Sequence, residues 1–229
     1  MFDLRKTDPE MWERMEAFAF REVPGDEGLQ LEPVTRHLAI LAALLGCQGL
    51  EAFREEFPAA LDAGVTPVMA KEVVYQGVDY LGLGRVWPFL QAANQILEAR
   101  GVSLPLPSQA TTAWEDRLEK GAQAQAEIFG PHMLEAWKQG TVNRWLAENC
   151  FGDYYTRTGL TLAQREMITF CFLLAQGGCE PQLTAHAKGN MNLGNDAQFL
   201  QRVVAQCLPY VGYPRSLNAM ACIGKASKS

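Results

Sequence analysis

The sequence lacks the features that mark nucleic-acid-binding, membrane and secreted proteins. It has no run of basic residues, and 20 lysines and arginines against 26 acidic residues give a net charge of −6, so nucleic acid is not an expected partner. Its longest apolar runs, such as LAILAALLG at residues 38–46, are far shorter than the roughly 20 residues that cross a bilayer. The first ten residues, MFDLRKTDPE, contain no apolar signal segment. We therefore expect a cytoplasmic protein without a membrane partner.

Cysteine pairs and strand patterns are also missing. The cysteines form no C-x-x-C pair, the spacing typical of zinc and redox motifs, and no metal or cofactor is predicted. Alternating apolar and polar runs bounded by hairpin turns, which indicate strands, are weak. We expect most of the six cysteines to be reduced, and several lie in apolar runs where a thiol packs as a small hydrophobe. They stand at positions 47, 150, 171, 179, 207 and 222.

The sequence is instead rich in helical periodicity. Apolar residues recur three and four positions apart over residues 33–47, 66–80 and 162–174, which predicts helices. Thr66 and Thr161 stand where N-caps are expected, with Pro67 at a first helical position. The stretch GVSLPLPSQATT, residues 101–112, has the Pro, Ser and Thr content of a linker. These patterns predict an all-α protein in two parts.

The two parts resemble each other. Arg36 in TRHLAILAALLG matches Arg165 in QREMITFCFLLA at an offset of 129, and later matches fall at 130. A sustained offset predicts two tandem copies of one helical unit, packed as an internal pseudo-dimer. The predicted boundaries are 1–101 for a degenerate first repeat, 102–112 for the linker and 113–229 for the second repeat. The later matches pair Gly64, Tyr80, Gly82 and Arg85 with Gly194, Tyr210, Gly212 and Arg215.

One cysteine and one histidine stand seven residues apart in GGCEPQLTAHAKGN, residues 177–190. At the 129-residue offset, apolar residues occupy the same face of the first repeat. Burying a polar group costs free energy unless it is satisfied, so a site on this face is expected in the second repeat only. The matched pairs at that offset are Cys179 with Leu50, Gln182 with Phe53, and His186 with Phe57.

Four phrases follow one another through the second half: DRLEKGAQAQAEIFG, YYTRTGLTLAQREMITFCFLL, LTAHAKGNMNLGND and QCLPYVGYPRSLNAM. They span about Asp116 to Met220 and resemble the carboxymuconolactone decarboxylase family, which includes the alkylhydroperoxidase D-like proteins. The first half resembles the same family more weakly. The resemblance implies an all-α fold of orthogonally packed helices that assembles around a threefold axis. It implies a homotrimer of two-repeat chains acting on a small molecule.

The motif departs from both branches of that family. The peroxidase branch has C-x-x-C, then three residues and a histidine, with a glutamate upstream. Cys179 and His186 keep this spacing, Gln182 replaces the second cysteine, and Glu166 resembles the upstream glutamate. The decarboxylase branch has a glutamate four residues before the histidine, and Gln182 stands there too.

Helical spacing places Cys179, Gln182 and His186 on one face. Cys179 is expected at the helix N-terminus, where partial positive charge favours a thiolate. His186 can exchange protons near neutral pH, with a ligand or with Glu166. Each of these residues also has a competing structural interpretation. Cys179 would be an inert thiol, and His186 would be a core or interface residue. Glu166 would be a surface charge or would pair with Arg165 at an oligomer contact.

Three classes of function remain open. A decarboxylase-like enzyme would use His186 as proton donor and Arg215 to hold a carboxylate. A thiol peroxidase would oxidise Cys179 to a sulfenic acid and need a resolving thiol elsewhere, such as Cys171. A non-catalytic helical oligomer is the third class. The predicted catalytic residues are His186, Cys179 and Glu166. The predicted substrate-binding residues are Gln182, Tyr210, Tyr213 and Arg215, of which the last three either line the pocket or brace a turn.

Overall fold

A computed structural model describes residues 3–228, and every regular element among them is helical. The all-α prediction is therefore confirmed. Phe18–Glu22 and Leu146–Tyr155 are π-helical, and Pro131–Gln139 is a 3-10 helix. No helix within residues 3–228 has both the length and the apolarity to cross a membrane. The α-helices are α1 Leu4–Thr7, α2 Pro9–Ala17, α3 Val23–Gly25, α4 Pro33–Gly46, α5 Leu50–Asp62, α6 Pro67–Leu81, α7 Leu83–Ala99, α8 Arg117–Phe129, α9 Thr141–Trp145, α10 Leu162–Gln176, α11 Glu180–Asn192, α12 Ala197–Val211 and α13 Tyr213–Ala226.

The predicted helix starts are confirmed at both threonine caps. The Thr66 hydroxyl accepts a hydrogen bond from the amide of Met69 at 3.2 Å. Thr161 forms a reciprocal capping box with Gln164, in which each side chain accepts from the other residue's backbone amide. These bonds satisfy amide groups that the first turn of a helix leaves without partners. They fix where α6 and α10 begin, and α10 carries much of the candidate site.

Helices α4 and α10 form the centre of the molecule. Residues 38–46 of α4 and 165–175 of α10 are all buried, and the two helices pack directly against each other. At Gly46 an added β-carbon would lie 2.7 Å from the β-carbon of Ala175 and from the carbonyl oxygen of Phe172. Glycine is required at this crossing because any side chain would push the two central helices apart.

The remaining helices surround this pair in the same order in both halves. The helices α5, α6 and α7 begin at residues 50, 67 and 83, and α11, α12 and α13 begin at 180, 197 and 213, so each start is offset by 130. Helix α6 packs on α10 of the other half, and α12 packs on α4. These bounds agree with the predicted repeat. The repeat and its boundaries at 1–101, 102–112 and 113–229 stay predictions.

No helix forms between Arg100 and Asp116, which includes the predicted linker. Residues 106–109 of this segment lie over α6 and the π-helical residues 146–155, where they help to enclose a cavity of about 560 Å³. Lys71, Tyr75 and Arg157 line it, and His186 does not. The linker therefore covers a face of α6 that lies away from the predicted catalytic histidine.

A partly buried carboxyl on α6, that of Asp79, is expected to make stability depend on pH. Burial, and secondly the charge of Asp153, raise the pKa of Asp79 from 3.8 to about 8, and its Oδ2 has no hydrogen-bond partner among the described residues. The folded protein therefore binds this proton more tightly than the unfolded chain. The contribution of Asp79 to stability is full below pH 3.8 and is lost as the pH rises to about 8.

In the wild type, the free energy of unfolding is expected to fall by roughly a few kcal/mol between pH 4 and pH 8 because of Asp79. Asp79→Asn is expected to remove this pH dependence. Urea unfolding at a series of pH values measures it. Glu119→Gln changes an exposed carboxyl and should leave the wild-type profile intact. An Asp79→Asn profile that still falls as steeply as the wild type would show that Asp79 is ionised at little cost.

Candidate functional site

Glu166 and His186 form a buried pair between α10 and α11. The Nδ1 atom of His186 lies 2.8 Å from Oε2 and 3.1 Å from Oε1 of Glu166. Glu166 is fully buried, and 10% of the His186 side chain is exposed. A carboxylate can only accept hydrogen bonds, so Nδ1 carries the proton and Nε2 is the nitrogen left for proton exchange. The expected contact between these two residues is confirmed.

A chain of hydroxyl groups holds the Glu166 carboxylate on its other side. The Tyr155 hydroxyl donates to Oε1 of Glu166 at 2.7 Å, and it lies 2.6 Å from the Thr169 hydroxyl and 2.9 Å from the Tyr80 hydroxyl. Burial raises the pKa of Tyr155 and of Tyr80 well above the usual value, so both stay protonated donors. These bonds orient the carboxylate and, through it, the imidazole ring.

Aromatic rings enclose the imidazole. Phe129 of α8 and Tyr80 of α6 meet the His186 ring edge-on, with centroids at 5.3 Å and 5.5 Å. Asn190, one turn further along α11, donates to the carbonyl oxygens of Glu166 and His186. The ring is thus fixed from both sides and from its own helix, which is the preorganisation that acid/base catalysis needs.

Cys179 lies at the start of α11, as predicted, but away from the histidine. Seven residues of helix separate them, about 10 Å along the axis, and the sulfur contacts the carbonyl oxygen of Leu173 at 3.5 Å. Burial raises the pKa of the Cys179 thiol, and a hydrogen bond from Gln176 offsets only part of that. Burial thus shifts the pKa of this thiol away from the thiolate that the sequence analysis expects.

The other predicted residues are dispersed. Gln182 is exposed on α11, and Tyr213 is 61% exposed at the start of α13. Arg215 lies beside Gly177 and acts electrostatically on Cys179, so its carboxylate-binding role at His186 has no support in the geometry. Its Nη1 atom is buried without a hydrogen-bond partner among residues 3–228.

Arg165 is part of the interior and not of an oligomer contact. Its guanidinium is fully buried and donates to Glu72 at 2.9 Å, to Gln76 at 3.0 Å and to the carbonyl oxygens of Arg157 and Thr158. Glu72 also accepts from Arg157 at 2.8 Å. The expected pairing of Arg165 with Glu166 is wrong, since the carboxylate of Glu166 faces Tyr155 and His186.

The two halves align differently from the sequence-based register. Helix α4 begins 129 residues before α10, yet α5 begins 130 residues before α11. The additional residue lies in α10, which has 15 residues where α4 has 14. The apolar matches assigned to the three motif positions are therefore wrong. In the corrected register, Cys179 corresponds to Gly49, Gln182 to Ala52, and His186 to Glu56.

This register reveals a second pair in the first half. The Nδ1 atom of His37 lies 2.6 Å from Oε1 of Glu56, with 14% and 5% of the two side chains exposed. The expectation that this face is apolar in the first half is therefore wrong at Glu56. Burial, and secondly the charge of Glu56, raise the pKa of Tyr210 on α12, while the Arg36 guanidinium lowers it.

Comparison with known proteins gives one family. Residues 141–224 match the model of the carboxymuconolactone decarboxylase family, a range that contains Glu166 and His186. A 4-carboxymuconolactone decarboxylase of Acinetobacter baylyi is 28% identical over 113 residues, which cover 46% of this chain and 83% of that protein. The second half of the chain is therefore similar to the carboxymuconolactone decarboxylase family.

Proposed function

We propose that this protein is a decarboxylase-like enzyme that acts on a small carboxylated lactone or a related organic acid, with His186 as its proton-transfer group. The observation that carries the proposal is the 2.8 Å contact between His186 Nδ1 and the Glu166 carboxylate. The family match and the decarboxylase activity named for the Acinetobacter relative support the reaction class. Glu166, Tyr155 and Tyr80 act as positioning residues.

The chemistry requires a proton donor at carbon. When the bond between carbon and the carboxylate breaks, the electron pair stays on the substrate as an enolate-like anion and carbon dioxide leaves. Protonated His186 gives the Nε2 proton to that carbon, and the Glu166 carboxylate stabilises the imidazolium form. Water then returns the proton to Nε2, so the cycle needs no further oxidant or reductant.

The competing thiol-peroxidase function is less well supported. Cys179 is a half-buried thiol whose pKa is raised. Cys171, the predicted resolving residue, is fully buried in the centre of the fold, and burial, with the neighbouring Cys207, raises the pKa of its thiol. Cys222 is the thiol that acts electrostatically on Cys179, yet it is only 1% exposed. Neither arrangement supplies the accessible thiolate that peroxide reduction uses.

Cys179→Ser is expected to leave most of the decarboxylase activity intact. Carbon dioxide release from 4-carboxymuconolactone and consumption of hydrogen peroxide in the presence of dithiothreitol are measured for wild type and variant. Peroxide consumption that disappears in Cys179→Ser would establish the peroxidase instead. Absence of both activities in wild-type protein would support the non-catalytic oligomer.

We also propose that the protein forms a homo-oligomer, with a trimer as the expected state. Leu83 and Trp87 on α7 are each 54% exposed, and Tyr213 and Leu217 on α13 are 61% and 65% exposed. The second pair lies 130 residues after the first, so corresponding positions of both halves carry apolar side chains one turn apart. Repeated exposed apolar faces favour closed association of identical chains.

Trp87→Asp combined with Leu217→Asp is expected to yield monomers. Multi-angle light scattering should give about 76 kDa for three wild-type chains of 25.3 kDa and one chain mass for the double variant. Met11→Asp, at an apolar position 59% exposed on α2, is the matched control and should stay assembled. A wild-type mass of one chain at micromolar concentration would contradict the assembly.

A further inference from the structure

The cavity under residues 106–109, the linker cavity, is large enough to hold a small organic molecule. Its volume of about 560 Å³ falls within the roughly 300–1,000 Å³ that ligand pockets in proteins have. The segment that covers it is hydrogen-bonded to the residues that follow the π-helical stretch. The amide of Thr158 donates to the carbonyl oxygen of Gln109 at 3.0 Å, and the Thr111 hydroxyl donates to the carbonyl oxygen of Thr156 at 2.9 Å.

Two cationic side chains of the cavity wall lie against one aromatic ring. The Nζ atom of Lys71 is 5.0 Å from the centroid of the Tyr75 ring, and the Cζ atom of Arg157 is 5.5 Å from the same centroid. All three residues line the linker cavity. Arg157 donates to Glu72 through Nε and Nη2, which leaves its Nη1 for a ligand. Positive charge is therefore brought together at one part of the wall.

The two carboxylates that line the cavity are already paired with guanidinium groups. Glu72 accepts from Arg157 at 2.8 Å and from Arg165 at 2.9 Å. Asp153 accepts from Arg117 at 2.7 Å. Because the single charge of Glu72 is shared by two guanidinium groups, positive charge is in excess at this wall before the nearby lysine is counted.

Lys71 adds a buried ammonium group that no carboxylate compensates. Only 5% of the residue is exposed, it forms no ion pair within residues 3–228, and its hydrogen-bond partner there is the side-chain oxygen of Asn94. An ammonium group has three donors, so donors remain for a ligand. Burial lowers the pKa of Lys71 from 10.5, which reflects the cost of keeping the charge out of water. A bound anion would offset that cost.

Aromatic side chains give the same cavity flat apolar surfaces. Tyr75, Trp114 and Tyr154 all line it. Trp114 is 79% exposed, and the guanidinium carbon of Arg117 lies 4.4 Å from the centroid of its ring. Aromatic rings pack favourably against other rings in stacked or edge-on arrangements. A ligand with an aromatic ring would therefore match these surfaces, as a negative charge would match the cations.

We propose that the linker cavity is a second small-molecule site, which binds an aromatic carboxylate of about the size of benzoate. The Lys71 ammonium and Arg157 Nη1 donate to the carboxylate oxygens, while Tyr75 and Trp114 contact the ring. His186 does not line the cavity. The site is thus separate from the His186 site and does not depend on the function proposed there.

Calorimetric titration of the full chain tests the site without an activity assay. Benzoate is titrated into the protein at constant ionic strength to millimolar concentration. Benzamide, which keeps the ring and lacks the charge, and acetate, which keeps the charge and lacks the ring, are titrated in parallel. We expect saturable binding of benzoate and markedly weaker binding of both analogues.

Lys71→Met removes the charge and keeps an unbranched side chain. We expect it to weaken benzoate binding about tenfold, the effect of one lost charge-assisted hydrogen bond. Trp114→Ala truncates an exposed ring and is expected to weaken binding at least about threefold. Lys225→Met changes an exposed lysine on α13. As the matched control, it should bind benzoate as tightly as wild type.

Tryptophan NMR locates the bound benzoate and does not need a variant of Lys71. The chain has five tryptophans, and ¹⁵N labelling of their indole groups gives signals among which Trp114→Phe identifies that of Trp114. We expect benzoate to shift this signal in a saturable way. The proposal is overturned if it does not move, if benzoate does not bind, or if benzamide or acetate binds equally well. Unchanged affinity in a Lys71→Met variant with wild-type circular dichroism would also overturn it.

Discussion

His186→Ala is expected to lower the rate of decarboxylation by about 10²- to 10⁴-fold, the usual contribution of a positioned acid/base group. The loss should fall on kcat, because the imidazole transfers a proton in the transition state and makes no charged contact with a ground-state carboxylate. The measurement is carbon dioxide release from 4-carboxymuconolactone under saturating and limiting substrate. His132→Ala replaces an exposed histidine and should retain wild-type rates.

Glu166→Gln distinguishes a positioned histidine from a merely buried one. Glutamine keeps the size of the side chain but is uncharged and accepts through only one oxygen, so the His186 ring loses the carboxylate that orients it. We expect a large loss of kcat and an altered pH profile, with unchanged circular dichroism. Equal kcat and pH dependence in Glu166→Gln and wild type would contradict the proposed role of His186.

The helices and the Glu166–His186 pair could be predicted because their signals are local. Apolar periodicity and the caps at Thr66 and Thr161 define α6 and α10 within two residues. Glu166 lies on α10 and His186 on α11, and a short connection joins these two consecutive helices. Their contact could therefore be expected from the order of the helices and from the motif spacing of the family. Asn190 and Thr169, one turn away from His186 and Glu166, could have been added by the same helical spacing.

The hydroxyl network could not be predicted from such signals. Tyr80 and Tyr155 are 75 residues apart in sequence, and they meet because α6 packs on the π-helical residues 146–155. The His37–Glu56 pair in the first half was missed for a different reason. An offset that changes from 129 to 130 does not say where the additional residue lies. Because it lies in α10, before α11 begins, the residue that corresponds to His186 is Glu56 and not Phe57.

Glu72→Ala is expected to reduce the free energy of unfolding by about 3–5 kcal/mol, as found when one partner of a buried ion pair is removed. Glu72 is 1% exposed and accepts from two guanidinium groups, Arg157 at 2.8 Å and Arg165 at 2.9 Å. Burial already lowers the pKa of Arg165, which shows how little solvation its charge receives. Without the carboxylate, Arg165 keeps Gln76 and two backbone carbonyl oxygens but no compensating charge.

Chemical denaturation of wild type and variant measures this loss, and the slope of the transition should stay the same if the folded state keeps its compactness. Glu10→Gln is the matched control, since Glu10 pairs with Arg14 on the surface, with both side chains more than 70% exposed. An exposed pair within one helix contributes only about 0.5 kcal/mol or less. A Glu72→Ala effect no larger than that of Glu10→Gln would mean that water reaches Arg165 and solvates its charge. The contact between α6 and α10 would then be stabilised mainly by apolar packing. The same packing would also hold the hydroxyl groups between Tyr80 and Glu166 in position.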